Sequence, residues 1–97
     1  MKQFVEVHYF VKEGKRDEFY RAIMENGIAA ASRAEEGNEK YDYYLSFDNE
    51  NELLLIELWA SAEAVWDHSQ TQHFKELGEL KKAYVADTAI MRYDVAP

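Results

Sequence analysis

Cysteine is absent from the 97-residue chain. That excludes disulfides, thiol nucleophiles and cysteine-ligated zinc or iron–sulfur centres. Proline occurs once, at position 97, and glycine four times, so few breakers are present and most of the chain is expected in regular structure. No linker, repeat or low-complexity tract divides it, and residues 1–97 read as a single domain. At this size a fold buries roughly 60–68% of the surface its unfolded chain exposes, enough for one small core. Cations are scarce: 11 Lys and Arg stand against 19 Asp and Glu, a formal net charge of −8. Phosphate contacts need clustered Lys and Arg, so nucleic acid and anionic membrane surfaces are not expected partners. No apolar run reaches the roughly 18 residues of a membrane span. Glu6 and His8 interrupt the apolar core that a signal peptide would need, and a cytoplasmic location is the expectation.

Aromatic residues are abundant: seven Tyr, five Phe and two Trp. So many rings in a short chain line a core, a pocket or a partner. Residues 4–11, rich in β-branched and aromatic side chains, predict a first strand with Val5, Val7, Tyr9 and Val11 on one face. Residues 15–33 predict a helix, with Phe19 and Ile23 at helical spacing, Asp17 and Glu18 in its first turn, and a flaw at Asn26-Gly27. Residues 41–47 alternate and predict a second strand. Residues 52–59 predict a third, apolar on both faces. Ser61 is placed to cap a helix over 62–68, and Thr71 one over 72–85. Residues 88–95 predict a fourth strand.

The order β-α-β-β-α-α-β predicts an α+β, ferredoxin-like split βαβ fold: a four-stranded antiparallel sheet with its helices on one face. The apolar outer face of the third strand then requires cover, and a second copy packed sheet to sheet is the expected solution, a homodimer.

From residue 35 onward a specific pattern appears: Glu35-Glu36-Gly37-Asn38, Tyr41, Glu57-Leu58-Trp59, Ala64, His68, Gln70-Thr71 and His73-Phe74. This resembles the antibiotic biosynthesis monooxygenase (ABM) domain of the dimeric α/β-barrel superfamily. Within it, the pattern is most similar to the quinol monooxygenase and autoinducer-2-processing branches. The positions that carry an Asn, a Trp and a His in the haem-degrading branch fall here on Val7, His68 and Gly78. Of the residues used by the polyketide-oxidising branch only Trp59 is matched, with Leu55, Val65 and Glu79 at the other positions. The resemblance implies a cofactor-independent monooxygenase that oxidises a quinol- or phenol-like aromatic small molecule with O2. The alternative it implies is a non-oxidative binding protein, or an isomerase of an autoinducer-2-like phosphorylated sugar, on the same scaffold.

Histidine is the one side chain that titrates near neutrality unperturbed, and so suits a general base. His68 and His73, either side of the predicted helix break, are the candidate catalytic residues. Trp59, Tyr41, Tyr43 and Phe74 are the candidate pocket walls. Five residues apart, the two histidines share no face of one helix, and no third ligand is evident in the sequence, so no metal and no cofactor is expected. Glu57 reads as structural, Trp66 as packing, and His8 as facing the dimer interface if Val7 faces the pocket. The only late cations are Lys81, Lys82 and Arg92, which sequence alone does not place at a pocket.

Overall fold

A computed structural model describes residues 1–97. The elements run β1 (Lys2–Val11), α1 (Arg16–Glu25), α2 (Ile28–Arg33), β2 (Asn38–Leu45), β3 (Glu52–Trp59), α3 (Ala62–Ser69), α4 (Gln72–Tyr84) and β4 (Val85–Val95). The strands form one antiparallel sheet in the order β2-β3-β1-β4, the ferredoxin-like α+β arrangement expected from the sequence. No helix is long and apolar enough to cross a membrane.

Strict alternation places Gln3, Val5, Val7, Tyr9 and Val11 of β1 and Leu53, Leu55, Glu57 and Trp59 of β3 on the helix-covered face, all buried. Phe19, Ile23, Ile28 and Ala29 fill the core from the helices. Ser61 and Thr71 cap α3 and α4 as expected, their hydroxyls accepting from the N–H groups of Ala64 and Phe74.

The predicted helix over 15–33 is two helices. Gly27 adopts φ 69°, in the left-handed region, and the chain turns there before α2 begins. The second strand starts earlier than its alternation suggests and stops at Leu45, leaving Phe47 beyond its end and wholly exposed. β4 begins at Val85 rather than Thr88, since backbone pairing with Val11 extends the ladder past the apolar run. Trp66, expected to pack, is 64% exposed. The buried face of α3 is Ala64 and His68, one turn apart, and Trp66 lies between them on the other side.

The opposite face of the sheet carries no helix. Its rows, read across the register, are Leu58-Phe4-Tyr93, Ile56-Glu6-Met91 and Leu54-His8-Ala89. His8 therefore lies on this open face. Its two ring nitrogens stand 2.7 Å from Glu52 Oε2 and 2.5 Å from Glu6 Oε2.

Candidate active site

The site is built where the turn after α2 meets the junction of α3 and α4. The turn after α2 holds Gly37 at φ 89°. It is fixed by the Ala60 N–H donating to the Gly37 carbonyl at 2.8 Å and the Asn38 N–H donating to the Glu35 carbonyl at 3.1 Å. This brings Glu35 against the junction of α3 and α4, with His68 in the last turn of one helix and His73 in the first turn of the next. Both imidazoles reach one carboxylate oxygen: His68 Nδ1 is 2.5 Å and His73 Nε2 2.7 Å from Glu35 Oε2. A carboxylate only accepts, so each ring donates to it. In neutral His68 this leaves Nε2 without a proton. Burial holds the His68 imidazole below its usual range, against the opposing pull of Glu35.

Glu57 is the second buried carboxyl. Its Oε1 accepts from the Trp59 indole N–H at 2.9 Å and stands 3.9 Å from His68 Nε2. Burial pushes it up to about 7, with the negative charge of Glu35 adding to the effect and the Trp59 bond opposing it. Rings surround His68: Trp59 at a centroid distance of 4.6 Å, Phe74 at 5.3 Å and Tyr41 at 5.8 Å.

A cavity of about 200 Å³ opens between the helix-covered side of the sheet and the α3–α4 pair. Val5, Val7 and Tyr9 of β1, Tyr41 of β2 and Glu57 of β3 line its sheet side. His68, Val65, Phe74, Leu77 and Lys81 line its helix side, and Ile90 reaches it from β4. The lining is mostly apolar, with His68 and Glu57 its buried titratable pair. A larger groove of about 260 Å³, between α1 and the free end of β2, contains neither a histidine nor a buried carboxyl.

Of the residues singled out in the sequence, His68, Tyr41 and Phe74 line the cavity. Trp59 does not reach it. Wholly buried, it backs the His68 ring and binds Glu57. Tyr43 lines the other groove and meets Tyr41 edge to face at 5.8 Å. His73 lies outside the cavity lining, beyond Glu35. Sequence reasoning missed Glu35, Tyr9 and Lys81 as members of the site and read Glu57 as structural. The signal for Glu57 was present: two residues before Trp59 on a strand, it shares that residue's face. Val7 faces the cavity and His8 the open face, as the alternation of β1 requires.

Glu35 also supplies the third donor that the two histidines lacked in the sequence: the ligating atoms of Glu35, His68 and His73 lie within 4.8 Å of one another. As they stand, the spacings of 2.5 and 2.7 Å are those of hydrogen bonds, with one carboxylate oxygen of Glu35 bridging the two imidazoles.

A family model described as antibiotic biosynthesis monooxygenase matches residues 3–80. A Bacillus subtilis protein, YcnE, named as a candidate monooxygenase, is 37% identical over 65 residues, 67% of this chain and 66% of that protein. The match thus spans just under two thirds of that relative's length. Among solved structures, a candidate antibiotic biosynthesis monooxygenase from Caulobacter crescentus superimposes with a TM-score of 0.87 at 25% identity, covering 99% of this chain and 91% of that one. A conserved protein from Methanosarcina mazei does so at 0.86 and 26% identity, covering 96% and 91%. One from Nitrosomonas europaea, at 0.86 and 21% identity over 96% and 97%, shares the fold.

Proposed function

The chain belongs to the antibiotic biosynthesis monooxygenase family, and we propose that it oxidises a quinol- or phenol-like small molecule with O2 without a bound cofactor, working as a homodimer. One observation carries this reading: a buried His68 whose Nδ1 is held by Glu35 and whose Nε2 is free on a largely apolar cavity. Ground-state O2 is a triplet and reacts slowly with closed-shell molecules. His68 Nε2 takes the hydroxyl proton. The resulting anion passes one electron to O2, and the substrate radical and superoxide combine at a ring carbon. His68 returns its proton to the peroxide, and the hydroperoxide loses water together with the hydrogen of that ring carbon, leaving a carbonyl and accounting for both oxygen atoms. A base of this kind contributes about 10²–10⁴-fold. His73, the other candidate base, holds Glu35 from the far side in this reading. Tyr41 and Phe74 form the aromatic wall, with Trp59 behind His68.

A second reading is favoured by Lys81, which lines the same cavity. A cation there suits an anionic substituent, as in an autoinducer-2-like phosphorylated sugar, and the same base would move a proton beside its carbonyl. Oxygen uptake with a panel of quinols and phenols, without added flavin or metal, decides between them. Uptake supports the oxygenase. No uptake, together with exchange of a carbon-bound proton in a phosphorylated ketose in deuterated water, supports the isomerase.

A further inference from the structure

We propose that Glu57 is the second ligand-holding group of the cavity: with His68 it grips one hydroxyl oxygen of a phenol-class ligand and, carrying its own proton, donates a hydrogen bond to the oxyanion left when His68 takes the hydroxyl proton. The inference rests on His68 as the base in the reading above. The 3.9 Å between Glu57 Oε1 and His68 Nε2 is too long for a direct hydrogen bond, and one ligand oxygen at about 2.8 Å from each group bridges it. The Trp59 indole N–H fixes Glu57 Oε1 by donating to it at 2.9 Å, and as the hydroxyl oxygen of a neutral carboxyl Oε1 still has its own proton to give the ligand oxygen.

Before His68 takes a proton, no cation neutralises Glu57. Lys81, from α4, holds its ammonium over the Tyr9 ring, 5.6 Å from the centroid. Arg92, in the same row of the sheet across Val5, gives its Nε–H to Gln3. Tyr9 and Tyr41 face the carboxyl as phenols that burial keeps protonated, and Glu35, behind His68, adds negative charge. These surroundings keep the proton on Glu57 up to about pH 7. An ionised Glu57 would repel the anion that His68 creates, so the cavity is built to hold that anion while the carboxyl is neutral.

The test uses 4-nitrophenol, whose anion is yellow and which is too electron-poor to consume oxygen. Its bound form should show the anion's absorption below the pH at which the free probe ionises. At about pH 8.5 both the free probe and Glu57 are ionised, and binding must restore two protons. Affinity should then fall about a hundredfold per pH unit in the unaltered protein and about tenfold in Glu57→Gln, which keeps an uncharged donor. Equal slopes in the two proteins overturn the proposal. So does a bound probe that stays colourless, or no binding at millimolar probe. A second measurement needs no variant. By linkage, 4-nitrophenol must raise the titration midpoint of Glu57 followed by carboxyl carbon-13 NMR, and an unmoved or lowered midpoint overturns the proposal. Neither arm reads turnover: normal proton linkage with no oxygen uptake from any quinol keeps this inference and removes the oxygenase.

Discussion

The indole N–H of Trp59 donates to Glu57 Oε1 at 2.9 Å, joining two buried side chains two residues apart on one face of β3. The same indole packs tilted against the His68 ring, 4.6 Å between centroids. Trp59 therefore orients both titratable groups of the cavity without lining it. Its replacement by Ala would remove packing worth about 3–5 kcal/mol along with that alignment, which makes it a poor probe of chemistry. The histidines are better probes.

His68→Ala should lower turnover by about 10²-fold or more, the usual share of a general base. His73→Ala should lower it by less than about tenfold, since it removes only one of the two donors that fix Glu35. Steady-state oxygen uptake on the best quinol of the panel measures both. Full activity in both variants removes histidine base catalysis.

Glu57 makes stability depend on pH. Its carboxyl titrates at about 7 in the fold against an ordinary value of 4.5, so between these the folded state binds more protons than the unfolded one. Stability from this group is complete below about pH 4.5 and is lost as pH rises through about 7, on the order of 3 kcal/mol in all. His68, held low by burial, acts in the opposite sense, its share being lost as pH falls below its ordinary value of 6.5. That term is common to the unaltered protein and to Glu57→Gln. Urea midpoints at about pH 5 and about pH 8 should fall with pH in the unaltered protein relative to Glu57→Gln. Parallel curves would mean that Glu57 is ionised in the fold.

The strands and caps were legible because each is written in adjacent residues: the alternation of Val5, Val7 and Tyr9, and the hydroxyls of Ser61 and Thr71 before their helices. The break at Gly27 was visible only as a flaw, since glycine signals freedom and not the φ of 69° it takes. β2 and β4 begin ahead of their apolar patterns because ladder hydrogen bonds, unlike burial, need no side chain. The site was half legible. Histidine chemistry pointed to His68, but its partner Glu35 lies 33 positions away, and only the folded turn at Gly37 brings them together. Which rings see the cavity was likewise a tertiary question. Tyr41 and Trp59 both face the helices, yet Tyr41 pairs with Glu57 while Trp59 sits a row further out beside Gln3.

That turn is itself testable. Gly37 has φ 89°, and a Cβ there would stand 2.8 Å from the Cβ of Ala64 on α3. Gly37→Ala should cost about 1–3 kcal/mol in backbone strain before the clash is counted, and it should lower turnover by displacing Glu35. Gly27→Ala is the control. Its φ is 69° but a Cβ there meets nothing within 4 Å, so a loss of about 1 kcal/mol with turnover kept is expected. Thermal melting and oxygen uptake on the two variants read the difference. Equal effects would show that the Gly37 turn has no special hold on the site.

The open face of the sheet should be the dimer interface. Leu54, Ile56, Leu58 and Phe4 run along its centre, half-buried, and Tyr44, Met91 and Tyr93 flank them, exposed. β4 is exposed along most of its length, as expected of a strand completed by a partner. At the centre of this face His8 reaches two carboxylates, and with both ring nitrogens donating it must be an imidazolium. Its hydrogen bonds to Glu52 and Glu6 hold its titration above the ordinary 6.5. The paired cation is complete below that ordinary value and is lost as pH rises through the raised one, leaving Glu6 and Glu52 unneutralised on an apolar surface. Sedimentation equilibrium at micromolar concentration should therefore find a dimer at neutral pH that weakens as His8 deprotonates. Ile56→Lys, which sets a charge beside Glu6 in the middle row, should sediment as a folded monomer. A monomer in the unaltered protein, or a dimer unaffected by Ile56→Lys, would place the interface elsewhere or remove it.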